Sequence, residues 1–410
     1  MDNINSTPVS SRLRISIFGR RNAGKSSLIN ALTNQPIALV SDVAGTTTDP
    51  VSKTMELLPI GPIVVTDTAG IDDEGMLGQM RVEKSYEVLN RTDLAILVID
   101  NINGLTSVEK EMFDLVKSKN IPFVSVVNKM DQSIRDDDEY KQWETELGAK
   151  LVKVSALTRD GIEDLKRTIV LTAPYEDEEL SLVSGLVNPG DFAVLVIPID
   201  KAAPKGRLIL PQQQVIRDLL DHDAMGIVTK EHELRETLDN LSKKPAVVIT
   251  DSQAFLKVSA DTPLNIPLTS FSILMARSKG DLTELVKGAK AIDSLQPGDH
   301  VLIAESCTHH RQSDDIGTVK IPRWLRQMVG GELNFEWFSG TGFPKDLKKY
   351  KLIVHCGGCM INRREMLYRI GVAKEQGIPI VNYGVLIAHV HGILQRAVAP
   401  FPSARAVLED

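Results

Sequence analysis

The octapeptide Gly19-Arg20-Arg21-Asn22-Ala23-Gly24-Lys25-Ser26 constrains the fold of this chain more than any other stretch. It follows Leu13-Arg14-Ile15-Ser16-Ile17-Phe18, which alternates like a strand, and precedes a helical run from Ser27 to Leu32. A G-x-x-x-x-G-K-S turn between strand and helix implies a backbone loop wrapped around phosphate oxygens. Gly19, Asn22, Ala23, Gly24, Lys25, Ser26 and Ser27 form the expected cradle. Lys25 offsets the charge of the β- and γ-phosphates, and the Ser26 hydroxyl is placed to ligate Mg²⁺.

Four further elements follow in the order that a guanine-nucleotide site requires. Ile63-Val64-Val65-Thr66 reads as a strand ending at Asp67-Thr68-Ala69-Gly70, where Asp67 holds Mg²⁺ through water and the Gly70 N–H meets the γ-phosphate. Leu94 to Asp100 is a continuous apolar run, as a strand buried on both faces requires. Pro122 to Val127 repeats it and ends at Asn128-Lys129-Met130-Asp131. Asp131 can accept both guanine donors, a pair that adenine lacks, and such buried polar matching discriminates strongly. Ser155-Ala156 supplies a turn suited to guanine O6. Together these elements predict a GTPase domain with a mostly parallel sheet, GTP and Mg²⁺ being its ligands.

The motifs resemble the translation-factor-related GTPases, in the branch containing MnmE and Era. Gly45-Thr46-Thr47-Thr48-Asp49 looks like that branch's switch I signature, with Thr48 in place of its usual arginine. The resemblance implies Thr47 as the Mg²⁺-sensing residue, with Thr46 the alternative, and Asn22 as the mark of potassium dependence. Lys25, Thr47 and Gly70 would then carry the hydrolytic step. Ile71 stands where other GTPases place a water-orienting glutamine, so slow, switch-type turnover is expected. Asp72-Asp73-Glu74-Gly75 falls in switch II, a segment of the kind that GTP orders.

The remainder divides by composition. With 410 residues, 42% hydrophobic and 25% charged, the chain suits several soluble α/β domains. The boundaries expected are 1–173 for the GTPase domain, 180–265 for a small α/β domain and 266–410 for a third unit. An acidic, prolyl segment over 172–190 reads as a linker. The middle domain alternates strands (AVLVIPID, GIVT, AVVIT) with helices at Pro211–His222 and Lys230–Leu241, and is either a spacer or an oligomerisation module. In the third unit, strands near Val301–Ala304, Lys351–Val354 and Val381–Tyr383 precede a closing helix over Gly384–Gln395; Trp324 and Trp337 are expected in the core. A net charge of −7 and no basic run argue against nucleic acid. The polar Met1–Ser11 and the lack of an 18-residue apolar run give a cytoplasmic, non-membrane expectation.

All three cysteines lie in the third unit, as Cys307 within Glu305-Ser306-Cys307-Thr308-His309-His310 and as Cys356 and Cys359 within His355-Cys356-Gly357-Gly358-Cys359. Thiolates with imidazoles beside them are a ligand set for zinc or an iron–sulfur cluster. A C-x-x-C pair alone also fits a redox dithiol; a third cysteine with its own histidine favours metal. His309 and His355 are candidate ligands or ligand supports, His310 is a neighbour, and His389 and His391 are structural. Three cysteines are one short of a Cys₄ set, so another ligand completes the site or one position stays exchangeable; Glu305, Asp314 and Asp315 offer carboxylates. Each of the two relevant strands runs into a cysteine element, and parallel strand ends gather on one edge where ligands bind.

Cys307-x-His309 followed by His355-Cys356-x-x-Cys359, behind a complete GTPase domain, resembles the HydF family of iron-only (FeFe) hydrogenase maturation GTPases over the whole chain. The resemblance implies a 4Fe–4S cluster on Cys307, Cys356 and Cys359 with a labile fourth site. It also implies a homodimer through the middle domain, and a scaffold that receives a transient di-iron subcluster from the radical-SAM maturases HydE and HydG and passes it to apo-hydrogenase. Two alternatives share the GTPase half: a tRNA-modification or ribosome-assembly GTPase with structural zinc, and a thiol redox-sensing GTPase.

Overall fold

The computed structural model describes residues 11–33, 51–72, 75–133, 135–174, 181–198, 208–306, 315–340 and 342–409, with the backbone alone over 75–81. The switch I signature at 45–49, with Thr46 and Thr47, lies outside the described residues; so do Asp73 and Glu74, and Cys307, His309, His310 and Asp314. The chain forms two compact units, Met1–Tyr175 and Glu176–Asp410.

The first unit is a doubly wound α/β domain. Its elements run β1 (Leu13–Gly19), α1 (Lys25–Thr33), β2 (Val51–Leu57), β3 (Gly61–Asp67), α2 (Gly75–Leu89), β4 (Leu94–Asp100), α3 (Ser107–Ser118), β5 (Phe123–Asn128), α4 (Asp137–Leu147), β6 (Leu151–Lys153) and α5 (Ile162–Thr172). The sheet order is β2-β3-β1-β4-β5-β6, parallel except for the β2–β3 pair. Side chains alternate across a pleated strand, so Leu94, Ile96 and Val98 pack one core while Ala95, Leu97 and Ile99 pack the other. This explains why β4 reads as an unbroken apolar run: both of its faces are covered. The phosphate loop, Asp67 and Asn128 all emerge from carboxyl ends of parallel strands, the edge where such sheets bind ligands.

The second unit holds two parallel four-stranded sheets. The first comprises β7 (Phe192–Val196), α6 (Leu210–Asp221), β8 (Met225–Thr229), α7 (Leu234–Asp239), β9 (Val247–Thr250), α8 (Phe255–Asp261) and β10 (Leu268–Ser270), in strand order β10-β9-β7-β8. Two helices, α9 (Phe271–Lys279) and α10 (Leu282–Lys290), lead into β11 (His300–Glu305), α11 (Ile321–Val329), β12 (Asn334–Ser339), β13 (Leu352–His355), α12 (Arg363–Glu375), β14 (Ile380–Asn382), α13 (Tyr383–Val390), α14 (Leu394–Val398) and α15 (Pro402–Glu409). These strands order as β12-β11-β13-β14. One hydrophobic core runs from Leu182 and Val215 through Phe271 and Leu285 to Val354 and Ala404, so the two sheets share their packing.

Several local expectations change in the fold. The helix expected over Lys230–Leu241 is confined to Leu234–Asp239, because Lys230 pairs with Glu233 (2.8 Å) in a turn before it. The single closing helix over Gly384–Gln395 is broken: α13 stops at Val390 and Gly392 takes a left-handed φ of 70°, the usual helix terminator. Trp337 is no core residue. It lies on the edge strand β12, 43% exposed, with Nε1 donating to the Gly317 carbonyl (3.2 Å). Trp324 packs against the core edge-on to His391. Among the described residues no helix is long and apolar enough to cross a membrane.

Helix α10 lies directly on β14: a Cβ built at Gly288 would sit 1.9 Å from the Ile380 carbonyl oxygen. Backbone cannot yield as a side chain can, so Gly288→Ala is expected to destabilise the second unit by about 1–3 kcal/mol, as overpacking does. Urea unfolding followed by circular dichroism should show the corresponding transition at lower denaturant, with GTP hydrolysis unaffected.

Candidate functional site

The nucleotide site grows out of the backbone of residues 19–26. Asn22 (φ 61°) and Gly24 (φ 85°) are left-handed, which turns successive N–H groups toward one centre. Gly24 must also lack a side chain, since its Cβ would meet Asn128 Nδ2 at 2.3 Å. Lys25 is buried, with Nζ donating to the carbonyls of Gly19 (2.9 Å) and Arg20 (2.8 Å), which holds the ammonium over the loop. The Ser26 hydroxyl donates to Asp67 Oδ2 (2.5 Å). The other carboxylate oxygen, Oδ1, is buried and has no hydrogen-bond partner among the described residues. Burial raises the Asp67 pKa, against the Ser26 hydrogen bond and the Lys25 charge. A hydroxyl and a desolvated carboxylate with a spare oxygen are the donor set that a hard cation such as Mg²⁺ takes.

Switch II starts against the same loop. Ile71 N–H donates to the Gly19 carbonyl (3.4 Å), and Arg21 N–H donates to Asp72 Oδ1 (2.6 Å). A side chain at Gly70 would stand 2.8 Å from Arg21 N, so only glycine permits this approach. Behind the loop, the Arg20 guanidinium pairs with Glu109, a buried carboxylate whose Oε2 also accepts from Thr106 N–H (3.0 Å) at the start of α3.

The base-recognition elements are assembled as well. Asn128 Nδ2 donates to the Ala23 carbonyl (3.0 Å) and its Oδ1 accepts from Ala156 N–H (3.1 Å), tying loop, β5 and the Ser155-Ala156 turn together. Ser155 Oγ donates to Asp131 Oδ1 (2.6 Å), orienting that carboxylate. Lys129 is left-handed (φ 68°) and pairs with Asp100 Oδ2 at 2.9 Å.

In the second unit the cysteine turn follows β13. Parallel pairing sets Ala304 of β11 beside His355 of β13, and Cys356 N–H continues it by donating to the Ala304 carbonyl (2.9 Å). Ser306, the residue before Cys307, therefore meets Cys356: its N–H and hydroxyl each lie 3.2 Å from Cys356 Sγ, and Gly358 N–H lies at 3.5 Å. Burial pushes the Cys356 thiol up, while the Ser306 and Gly358 donors pull it down. Such N–H···S donors are the surroundings that tune thiolate-bound clusters. Cys356 and Cys359 are both half-buried. No group of three possible ligands stands together among the described residues, which hold two of the three cysteines.

His355 is fully buried behind the turn. Arg369 Nη1 donates to its Nε2 (3.1 Å), so Nδ1 carries the proton and donates to the Cys356 carbonyl (2.7 Å). Burial and then the Arg369 charge lower its pKa to about 3, which keeps the ring neutral. Both nitrogens thus serve the protein's own framework. Of the carboxylate candidates, Glu305 is buried beside the turn and accepts from Tyr383 OH (3.1 Å); burial foremost, with Glu305 and Cys356, pushes that phenol far up. Asp315 instead caps a helical turn, accepting from Thr318 N–H (2.8 Å) and Oγ1 (2.9 Å).

The supporting residues were not legible in the sequence. Arg369 is fully buried between Glu365 (3.0 Å), His355 and the Gly340 carbonyl (2.8 Å). Lys279 and Ser306 likewise act through partners distant in sequence. For Ser306 alone a signal existed, as it adjoins Cys307 at the end of a predicted strand.

The buried Asp67 gives a test. Its pKa is raised on folding, so the native state holds the proton more tightly and stability falls as pH rises from the unfolded carboxylate pKa through the folded one; the deficit persists at neutral pH. Asp67→Asn should remove that deficit, raising the thermal midpoint of the ligand-free protein. In the unsubstituted protein, Mg²⁺ with GDP at a hundredfold excess over Kd should add about 2.7 kcal/mol; the variant should lose the Mg²⁺-dependent part.

Comparison with known proteins agrees with this geometry. Residues 14–129 match the family model described as 50S ribosome-binding GTPase, residues 182–280 the hydrogen maturase F dimerization domain, and residues 283–400 the hydrogen maturase F tetramerization domain. Similar curated proteins include the tRNA modification GTPase MnmE of a Thermoanaerobacter species, 39% identical over 158 residues, and that of Aquifex aeolicus, 36% identical over 160; each match covers 38% of this chain. The chain spans about a third of the length of these relatives (34%). Similar solved structures include Era of Aquifex aeolicus (TM-score 0.37, 19% identity, 61% of this chain and 99% of that one). The FeoB G-domain of Methanococcus jannaschii is another (TM-score 0.30, 22% identity, 39% and 97%). A GTPase domain followed by two successive domains specific to hydrogen maturase F places this chain in the hydrogen maturase F (HydF) family.

Proposed function

We propose that this protein is a GTP-hydrolysing scaffold for assembling the di-iron subcluster of FeFe hydrogenase and transferring it to the apo-enzyme, with the maturases HydE and HydG as suppliers. The reading assigns a 4Fe–4S cluster to Cys307, Cys356 and Cys359, with an exchangeable fourth position. The observation that carries it is the contact of Ser306 with Cys356 Sγ, which brings the residue before Cys307 onto the C-x-x-C turn. Three thiolates with one open position would let a subcluster cargo attach through a bridging ligand and leave again. In this reading His355 orients the turn, and the fourth position falls to Glu305, a buried carboxylate that accepts from Tyr383 OH (3.1 Å), to His309, Asp314 or Asp315, or to an exogenous ligand.

The GTPase domain serves as a switch in this reading. Lys25 and the loop N–H groups bind the phosphates, Ser26, Asp67 and Thr47 serve Mg²⁺, Asn22 serves K⁺, and Asp131 with Ser155 and Ala156 reads guanine. GTP would draw Gly70 N–H to its γ-phosphate and so reset the contacts that Ile71 and Asp72 make with the loop. Differential binding of this kind typically couples sites by about 1–3 kcal/mol. Dimerisation is assigned to the middle domain, whose outer strand β8 has no neighbour on one edge among the described residues and exposes Met225 and Val228. Such an edge is a template for pairing with another chain.

Anaerobic reconstitution with iron and sulfide tests the function. The full chain should bind close to four irons and give, on reduction, a cubane-type EPR signal that Cys307→Ala or Cys356→Ala abolishes. Bound zinc without a paramagnetic species, or an oxidised Cys356–Cys359 pair without metal, would contradict the scaffold. Lys25→Ala should abolish GTP hydrolysis, keep the EPR signal and lower hydrogenase activation; undiminished activation would sever the link between nucleotide and transfer. Val228→Lys should shift the protein toward monomer in sedimentation, since charge on an edge strand opposes edge-to-edge pairing.

A further inference from the structure

Helix α9 joins the two sheets of the second unit. It begins where β10 ends, with Ser270 Oγ accepting from Ile273 N–H (3.2 Å), and its face packs in the shared core through Phe271, Leu274 and Met275. Near its other end Arg277 Nη1 donates to the Ser184 carbonyl (2.8 Å), in the segment before β7. Its last residue, Lys279, turns to the cysteine loop. There Nζ, on a residue only 7% exposed, donates to the carbonyls of Gly358 (3.2 Å), Cys359 (3.2 Å) and Ile361 (3.0 Å). Arg363 Nη1, from α12, closes the arrangement by donating to the Ser278 (2.6 Å) and Gly280 (3.1 Å) carbonyls.

An ammonium has three donors, and its partners here include three loop carbonyls. Burying such a charge is costly unless it is paired or fully hydrogen-bonded. A hydrophobic residue would pack the same stem while withdrawing this donor from all three carbonyls, Gly358 keeping Ile361 N–H (3.2 Å), so packing alone does not call for lysine. The carbonyls belong to the turn that begins at Cys356 and carries Cys359, with Gly358 in a left-handed conformation (φ 65°) between them. Charge and geometry therefore act on the same few atoms.

We infer that Lys279 is a positioning residue for the cysteine turn: it fixes the turn so that both sulfurs face one centre, and its buried charge favours the reduced form of a cluster held there. This rests on the reading that the turn binds an iron–sulfur cluster. A reduced cluster carries one more negative charge, so a nearby cation raises the reduction potential and its removal lowers it. Residues 182–280 match the hydrogen maturase F dimerization domain, so Lys279, at the end of that match and beyond the boundary expected at 265, would make it a source of a determinant of the cluster site.

The test uses the full chain unsubstituted, as Lys279→Met and as Lys279→Gln, each reconstituted anaerobically with iron and sulfide. The readouts are the rate of cluster bleaching by a chelator and the midpoint potential from an EPR-monitored redox titration; GTP hydrolysis and circular dichroism serve as folding controls. Lys279→Met should lose its cluster about 10–100-fold faster, the range typical of residues that support ligands from behind, and titrate at a more negative potential. Lys279→Gln keeps a donor without the charge, so it should retain the cluster longer than Lys279→Met and still titrate more negatively than the unsubstituted chain. If Lys279→Met fails to fold, the potential of Lys279→Gln decides. Variants that hold the cluster at the unsubstituted rate and potential overturn the inference alone. An unsubstituted chain that assembles no cluster overturns the reading beneath it as well.

Discussion

The parallel pairing of β11 with β13 is the constraint on which the cysteine region depends. The partners are far apart in sequence, yet register places Ala304 against His355 and so delivers Ser306 to Cys356. A shift by one residue would turn every side chain of the strand to the other face. The strands sit centrally in the sheet, flanked by β12 and β14, and are buried throughout their length but for His300. The hydrophobic effect that buries Val301 to Ala304 and Leu352 to Val354 thereby fixes where Ser306 meets the Cys356 thiol.

The same logic operates in the GTPase domain with a different chemistry at the strand ends. There the ligand-binding atoms are mostly backbone, so the demand falls on residues that let the backbone come close. Gly24 faces the Asn128 amide and Gly70 faces Arg21, each at a distance a Cβ would violate. Asn128 then ties the loop to the guanine-reading turn through two hydrogen bonds, so base and phosphate elements form one network. Local motifs of this kind survive in any parallel sheet that presents the strands in this order.

This difference explains what the sequence reveals. The nucleotide site is legible because Lys25, Ser26, Asp67, Asn128 and Asp131 each sit in a short motif with fixed chemistry, and the alternating strands and helices also announce an α/β fold. The proposal of a metal site at Cys356 and Cys359 starts from their spacing and rarity. The supports are not. Lys279, Arg369 and Glu109 look like ordinary charges on helices, and only the tertiary fold buries them against carbonyls, His355 and Arg20. Trp337 misleads in the opposite sense: its size suggests a core, while its place on an edge strand leaves it half in water. Helix ends such as Val390 depended on reading Gly392 as a stop.

We propose that the carboxyl ends of β11 and β13 gather three cysteines onto one metal centre. Cadmium, which binds thiolates without needing sulfide or reduction, tests it most directly. Titration of the reduced chain under argon, followed by the ultraviolet sulfur-to-cadmium charge-transfer band, should saturate at one ion per chain with the intensity of three thiolates. Cys307→Ser should lower that intensity by about a third. An unchanged band in Cys307→Ser, showing that only Cys356 and Cys359 bind, would contradict the account.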